Sequence, residues 1–241
     1  MKVSMKYWRS SIAVIMAVMA LIMSTPAAFA RNSNPGVFPI QSKPHGLTYG
    51  QWSARWWQFA LQQTNLNICT PDRPGSRVTF LAGGSVLPSC TVPVGMAIMF
   101  PVFNVEWSVA EAQAQQMMTP GQSCLIPGPP DGTSDADLQA CATAQANHAL
   151  DADASLKAAV DGVKLQNLPN YRAVSPPFDF TAAVGNPFSV PAGPSRGVAD
   201  GFWIILTPLS PGMHTVHFSA SVPFFPFSTD TTYHLMVQPG R

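Results

Sequence analysis

Apolar residues recur along this chain with two different periods, and the changes between them mark out its segments. Over residues 49–65, Trp52, Trp56, Phe59, Ala60 and Gln63 follow the i, i+4, i+7, i+8 spacing of one helical face, while Gln51, Arg55, Gln58 and Gln62 mostly fall away from it. Thr48 stands where an N-cap is needed. Trp57 lies beside the stripe, so the helix is expected to bury Trp52 and Trp56 and leave Trp57 open to a partner. From residue 67 to 103 the period shortens to runs broken by Gly and Pro at 78–82, 90–92 and 96–103, the signature of strands. Residues 96–100 are apolar on both alternating faces, which predicts a strand buried on both sides and ending where Pro101 breaks the ladder.

Helical patterning returns in the middle of the chain. Ser108 and Glu111 have capping-box spacing for a helix reaching about Met118, and Pro120-Gly121 stops it. Ser134 caps a second helical region whose apolar positions include Leu138, Cys141, Ala142 and Ala149; it extends, with or without a break near Asp151, through Leu156 and Val160 to Gly162. From Tyr171 onward the chain reads as Pro-punctuated strands, at 177–180, 201–207, 213–221 and 231–237. Within this half, residues 209–218 have the form L-x-P-G-x-(H/Y)-T-V, similar to a turn feeding an inner strand of an immunoglobulin-like sandwich.

The N-terminus changes the picture from fold to location. Lys2, Lys6 and Arg9 precede an apolar run from Ser11 to Met23, and Ala28-Phe29-Ala30 is the small-x-small pattern that signal peptidase cuts after. Residues 1–30 therefore read as a signal peptide, and the mature chain begins at Arg31. The run is too short for a transmembrane anchor and no later segment is apolar enough, so the expected location is periplasmic or extracellular. Residues 31–47, with Pro35, Pro39 and Pro44, read as an extended arm. Cys69, Cys90, Cys124 and Cys141 all lie in the mature chain, an even number in an exported protein, and proximity favours Cys69–Cys90 and Cys124–Cys141. Their spacing and the placing of the histidines suit no zinc knuckle.

Composition narrows the partners. Only 10% of residues are charged and 46% are hydrophobic, with 24 prolines, so the mature surface is rich in amides, hydroxyls and exposed apolar groups. Such a surface suits contact with a polysaccharide, another surface polymer, a membrane surface or an envelope protein. Nucleic acid is excluded as a partner: there is no basic run, and no lysine between Lys43 and Lys157.

Several pieces taken together resemble a family of uncharacterised exported bacterial proteins: residues 49–57 (YGQWSARWW), 80–84 (FLAGG), 90–95 (CTVPVG), 200–203 (DGFW), 209–212 (LSPG) and the TYHL near the C-terminus. The resemblance spans most of the mature chain and departs from it between Ala112 and Gln166. It implies export and a common fold, and brings no established activity.

Three constellations suggest chemistry. Trp57 and Arg55, beside Trp52 and Trp56, offer a platform on which a pyranose stacks while Arg supplies hydrogen bonds; the alternative is a helix face packed on the sheet. In the C-terminal hairpin, a register placing Val216 opposite Leu235 sets His217 opposite His234, a pair suited to acid–base work or, with a further ligand, to a metal. Two histidines do not close a metal site, so no metal and no cofactor is expected. Asp200, before a Gly-Phe-Trp strand, is the acid to join those histidines, although turn chemistry explains it equally well. Glu106 and Glu111 are the chain's two glutamates, and no serine-nucleophile elbow or phosphate-cradling glycine loop occurs.

The expected protein is mainly β, an immunoglobulin-like or jelly-roll-like sandwich with added helices, forming one secreted domain over residues 31–241 with a helical insertion around 108–162. The leading function is a secreted or envelope-associated binding or structural module, with polysaccharide or another surface polymer as ligand. The alternatives are a secreted hydrolase or metal-dependent enzyme using His217, His234 and Asp200, and an extracellular matrix or assembly component.

Overall fold

Thr48 opens the first helix as its spacing predicts. In the computed structural model, which describes Asn34, residues 36–84 and residues 89–239, the Thr48 hydroxyl accepts from the Gln51 N–H and the Gln51 side chain accepts from the Thr48 N–H. The leader read into residues 1–30 lies outside the described residues. Helix α1 (Tyr49–Ala60) stops a turn earlier than its periodicity suggests, because the Leu61 carbonyl accepts from the Ala183 N–H at 2.8 Å and the chain turns away.

Two sheets carry the core. The first has the order β1 (Cys69–Pro71), β2 (Val78–Leu81), β4 (Ala97–Ser108), β9 (Gly193–Leu206), β7 (Arg172–Val174), with β8 (Phe178–Ala182) also paired to β9. The second runs β3 (Ser89–Pro93), β11 (Phe227–Gln238), β10 (Gly212–Val222), β5 (Ser155–Val160), β6 (Val163–Lys164). The pairs β2–β4 and β3–β11 are parallel and the other ladders antiparallel. The sheets face one another as a sandwich: Phe100 stacks on Phe218 at 4.7 Å, and Phe103 meets Phe227 at 5.5 Å. Tyr233 reaches across, its hydroxyl accepting from the Ala82 N–H and lying 3.1 Å from the carbonyls of Ile68 and Ala82.

The long strand β4 is buried on both faces, as its unbroken apolar run predicts, but Pro101 does not end it. The register shifts between Pro101 and Phe103, and this bulge accommodates the residue that has no N–H to donate. The extra residue also lets Phe100 and Phe103, three positions apart, face the same sheet. On the other side Trp56 packs on Trp203 at 5.5 Å, and Trp52 on Phe80 at 6.1 Å, so α1 covers the outer face of the first sheet. A Cβ at Gly50 would overlap the Val174 carbonyl, so glycine sets how closely α1 approaches the end of β7.

The middle of the chain is less helical than its patterning suggests. Helices α2 (Val109–Met118) and α3 (Asp135–Asn147) form, each with its predicted serine cap, but residues 155–160 join the second sheet as β5. Leu156 and Ala158 face inward while Ser155 and Lys157 face out, a period of two that the apolar edge of β10 selects over a helical continuation. Both expected disulfides are present. Cys69–Cys90 joins β1 of the first sheet to β3 of the second, and Cys124–Cys141 fixes the loop after α2 to α3. The latter belongs to a small separate core with Trp107, Leu138, Ala142 and Val198. The N-terminal arm docks along the end of β9, with Phe38 donating to Ile205 and Thr207 donating to Gly36, each at 2.9 Å.

Candidate functional site

A groove of about 300 Å³ opens between α1, the bulge of β4 and the start of β11. Trp57, Phe188 and Phe227 give it aromatic walls, and Asn104, Ser228 and Thr229 supply amide and hydroxyl groups. Its position follows from the local structure: the bulge displaces the strand beside Asn104, and Trp57 comes from the face of α1 next to the buried stripe.

Trp57 is nevertheless not the open ring that the helix phase predicts. It is 5% exposed, against 2% for Trp56. The covering residue comes from far along the chain: Phe188 meets Trp57 at 4.8 Å, on a turn held by Asn186, whose amide donates to Ala183 and Val190 and accepts from the N–H groups of Phe188 and Val190. Trp57 thus forms part of the groove wall, and its Nε1 is buried without a hydrogen-bond partner among the described residues. Arg55 does not join it. Its guanidinium lies over the Trp52 ring at 5.3 Å and 3.8 Å from Asp72, so the expected Trp57–Arg55 platform is not assembled.

The His/Asp constellation also comes apart. In the hairpin, His217 pairs with Thr232 and His234 with Thr215, two residues from the expected register. The four residues between Val222 and Phe227 set this offset, and because a slip of two preserves the faces, both histidines still point outward. His217 bonds Asp230 at 2.9 Å. Asp200, in contrast, is fully buried in the first sheet, gripped at 2.9 and 2.7 Å by the Arg172 fork, which also donates to Asn147 and the Thr143 carbonyl. It ties β9 and β7 to α3, and among the described residues no histidine bonds it. Among the described residues, no three His, Cys, Asp or Glu side chains converge as metal ligands.

His214 has a structural bond of its own. Its Nδ1 lies 2.8 Å from Asp161 and its Nε2 2.9 Å from the Ser210 carbonyl. The Asp161 hydrogen bond raises its pKa against the opposing effect of partial burial. For Asp161, desolvation acts upward, but the bonds from His214 and the Thr215 N–H outweigh it and leave the carboxyl below its ordinary value.

One polar cluster stands outside the predicted sites. Glu106, on β4, is 7% exposed, and its Oε1 has no hydrogen-bond partner among the described residues. Glu111, in the first turn of α2, accepts from Ser108 Oγ at 2.6 Å. Gly197 leaves the space that the Glu106 carboxyl fills. Burial, then the neighbouring Glu111 charge, pushes Glu106 well above the carboxylate range; burial also raises Glu111, partly offset by its hydrogen bonds. The two glutamates five residues apart, across a strand-to-helix junction of an apolar run, were the sequence signal for this cluster. A wider hollow of about 690 Å³ lies between α2 and strands β8 and β9, but its Arg196 is already held by Asp135 at 2.7 and 2.9 Å and by Asp179 at 2.9 Å.

No family model and no curated protein matches this chain. Among solved structures, the cysteine protease inhibitor EhICP2 from Entamoeba histolytica aligns at 10% identity, covering 69% of this chain and 100% of that one, with a TM-score of 0.25. Amebosin aligns at 10% identity over 68% of this chain and 100% of its own, TM-score 0.20, and PbICP-C, solved in complex with falcipain-2, at 11% identity over 68% and 100%, TM-score 0.22. At these TM-scores the likeness carries neither fold nor activity to this chain.

Proposed function

We propose that this protein is a secreted or envelope-associated binding module that holds a saccharide unit of a polysaccharide or other surface polymer in the groove beside Trp57. The observation behind this reading is the lining itself: aromatic walls from Trp57, Phe188 and Phe227 beside the amide of Asn104 and the hydroxyls of Ser228 and Thr229. A sugar ring presents an apolar C–H face and a rim of hydroxyls, and such a pocket answers both. Two disulfides suit an oxidising compartment, and no helix among the described residues is long and apolar enough to cross a membrane. Export through the leader of residues 1–30 and kinship with the exported bacterial family are part of the same proposal. The hydrolase alternative loses its constellation, since Asp200 is bound to Arg172 and the histidines lie on the other sheet.

Calorimetric titration of the mature protein with a panel of neutral oligosaccharides tests the groove. A binding sugar is expected, with affinity reduced about tenfold by Asn104→Ala, the worth of one good hydrogen bond. Phe227→Ala, which removes an aromatic wall that is itself exposed, should also weaken binding. A folded protein that binds no member of the panel would remove this reading.

A further inference from the structure

Charge is scarce in this chain, at 10% of residues, yet two of the three lysines among the described residues meet on one face. A hollow of about 310 Å³ on the second sheet is lined by Lys157, Lys164, Gln166 and His217, together with Leu156 and Leu165. The register explains the convergence. His217 on β10, Ala159 on β5 and Lys164 on β6 form one cross-strand row, and Lys157, paired with Ser219, stands one step along the same face. Lys157 and Lys164 are therefore diagonal neighbours, with Cα atoms about 7–8 Å apart. Both are exposed, and neither ammonium is in an ion pair with a described carboxylate. The nearby acids are engaged: Asp230 with His217, and Asp161 with His214 and the Thr215 N–H. Around them the outward positions of β10 and β11 carry hydroxyls from Thr215, Ser219 and Thr232.

We infer that this hollow is an oxyanion subsite, in which Lys157 and Lys164 take the carboxylate or sulfate group of an acidic polysaccharide. Two unpaired ammonium groups at this spacing give converging positive charge, and Ala159 and His217 in the same outward row form the floor between them. The volume lies at the lower end of small-ligand sites, about 300 Å³. The polymer class rests on the binding reading above; the anion subsite stands on residues that the groove does not share.

The test titrates the mature protein with an oligogalacturonate, a sulfated dextran oligomer and a neutral gluco-oligosaccharide of equal length. Binding of one or both acidic probes is expected, weakening with added salt, as contacts between exposed charges do. The arm that binds identifies carboxylate or sulfate as the natural group. Lys157→Gln with Lys164→Gln should lower acidic affinity at least tenfold with melting temperature unchanged, and Lys157→Arg with Lys164→Arg should largely retain it. No acidic binding by the wild type, or equal affinity in the glutamine variant, would overturn the subsite. Failure here with neutral binding intact leaves the groove standing; loss of neutral binding alone removes the groove and leaves the subsite.

Discussion

Glu106 has its carboxyl enclosed between β4, Gly197 and the first turn of α2, where water does not reach Oε1 and a second carboxyl lies close. A carboxyl raised in the fold binds protons more tightly than in the unfolded chain. Its stabilising contribution is therefore fully present below the unfolded value of 4.5 and is lost as pH rises through the folded one. His214, raised by Asp161, acts in the same direction from 6.5 upward, whereas Asp161, lowered, loses its contribution only as pH falls below 3.8. The melting temperature should thus decline as pH rises above 4.5 and again above 6.5, and Glu106→Gln, which mimics the neutral acid, should flatten the first part of that decline. Thermal scans of both proteins across this range check it; an unchanged slope in the variant would place the proton elsewhere.

Helix α1 shows what periodicity can and cannot assign. Its stripe places Trp56 against Trp203, as expected, but Phe188 covers the neighbouring Trp57 from a turn more than a hundred residues away. The helix phase alone predicts that truncating Trp56 costs much more than truncating Trp57. With both rings buried, Trp56→Ala and Trp57→Ala should each cost about 3–5 kcal/mol, read from urea denaturation. A markedly smaller loss for Trp57→Ala would mean that the Asn186 turn opens readily in solution.

At the scale of the whole molecule, the two disulfides have different tasks. Cys69–Cys90 links the two sheets, while Cys124–Cys141 holds α3 over the small core of Trp107, Leu138 and Ala142. Replacing Cys124 and Cys141 by alanine should cost about 2–4 kcal/mol. Hydrogen exchange in that variant should quicken first in α3 and leave β4 and β9 protected. Non-reducing peptide mapping should recover these two pairings and no crossed ones, and under the proposed export the purified chain should begin at Arg31.

Local chemistry was written in the sequence where neighbours along the chain decide it. The serine and threonine caps, the alternating strands of the C-terminal half, the doubly buried run of β4 and the near-neighbour disulfides are all local, and all were legible. What tertiary structure alone decided depends on segments far apart. A six-residue run became β5 because β10 offered it an edge. The hairpin offset separated His217 from His234, and Arg172 claimed Asp200. Phe188 closed over Trp57, Glu106 found Glu111 across a strand-to-helix corner, and Lys157 and Lys164 met over β5 and β6. Capping and alternation are fixed by bonds within a few residues, whereas burial, charge pairing and strand register are settled by whichever distant surface arrives.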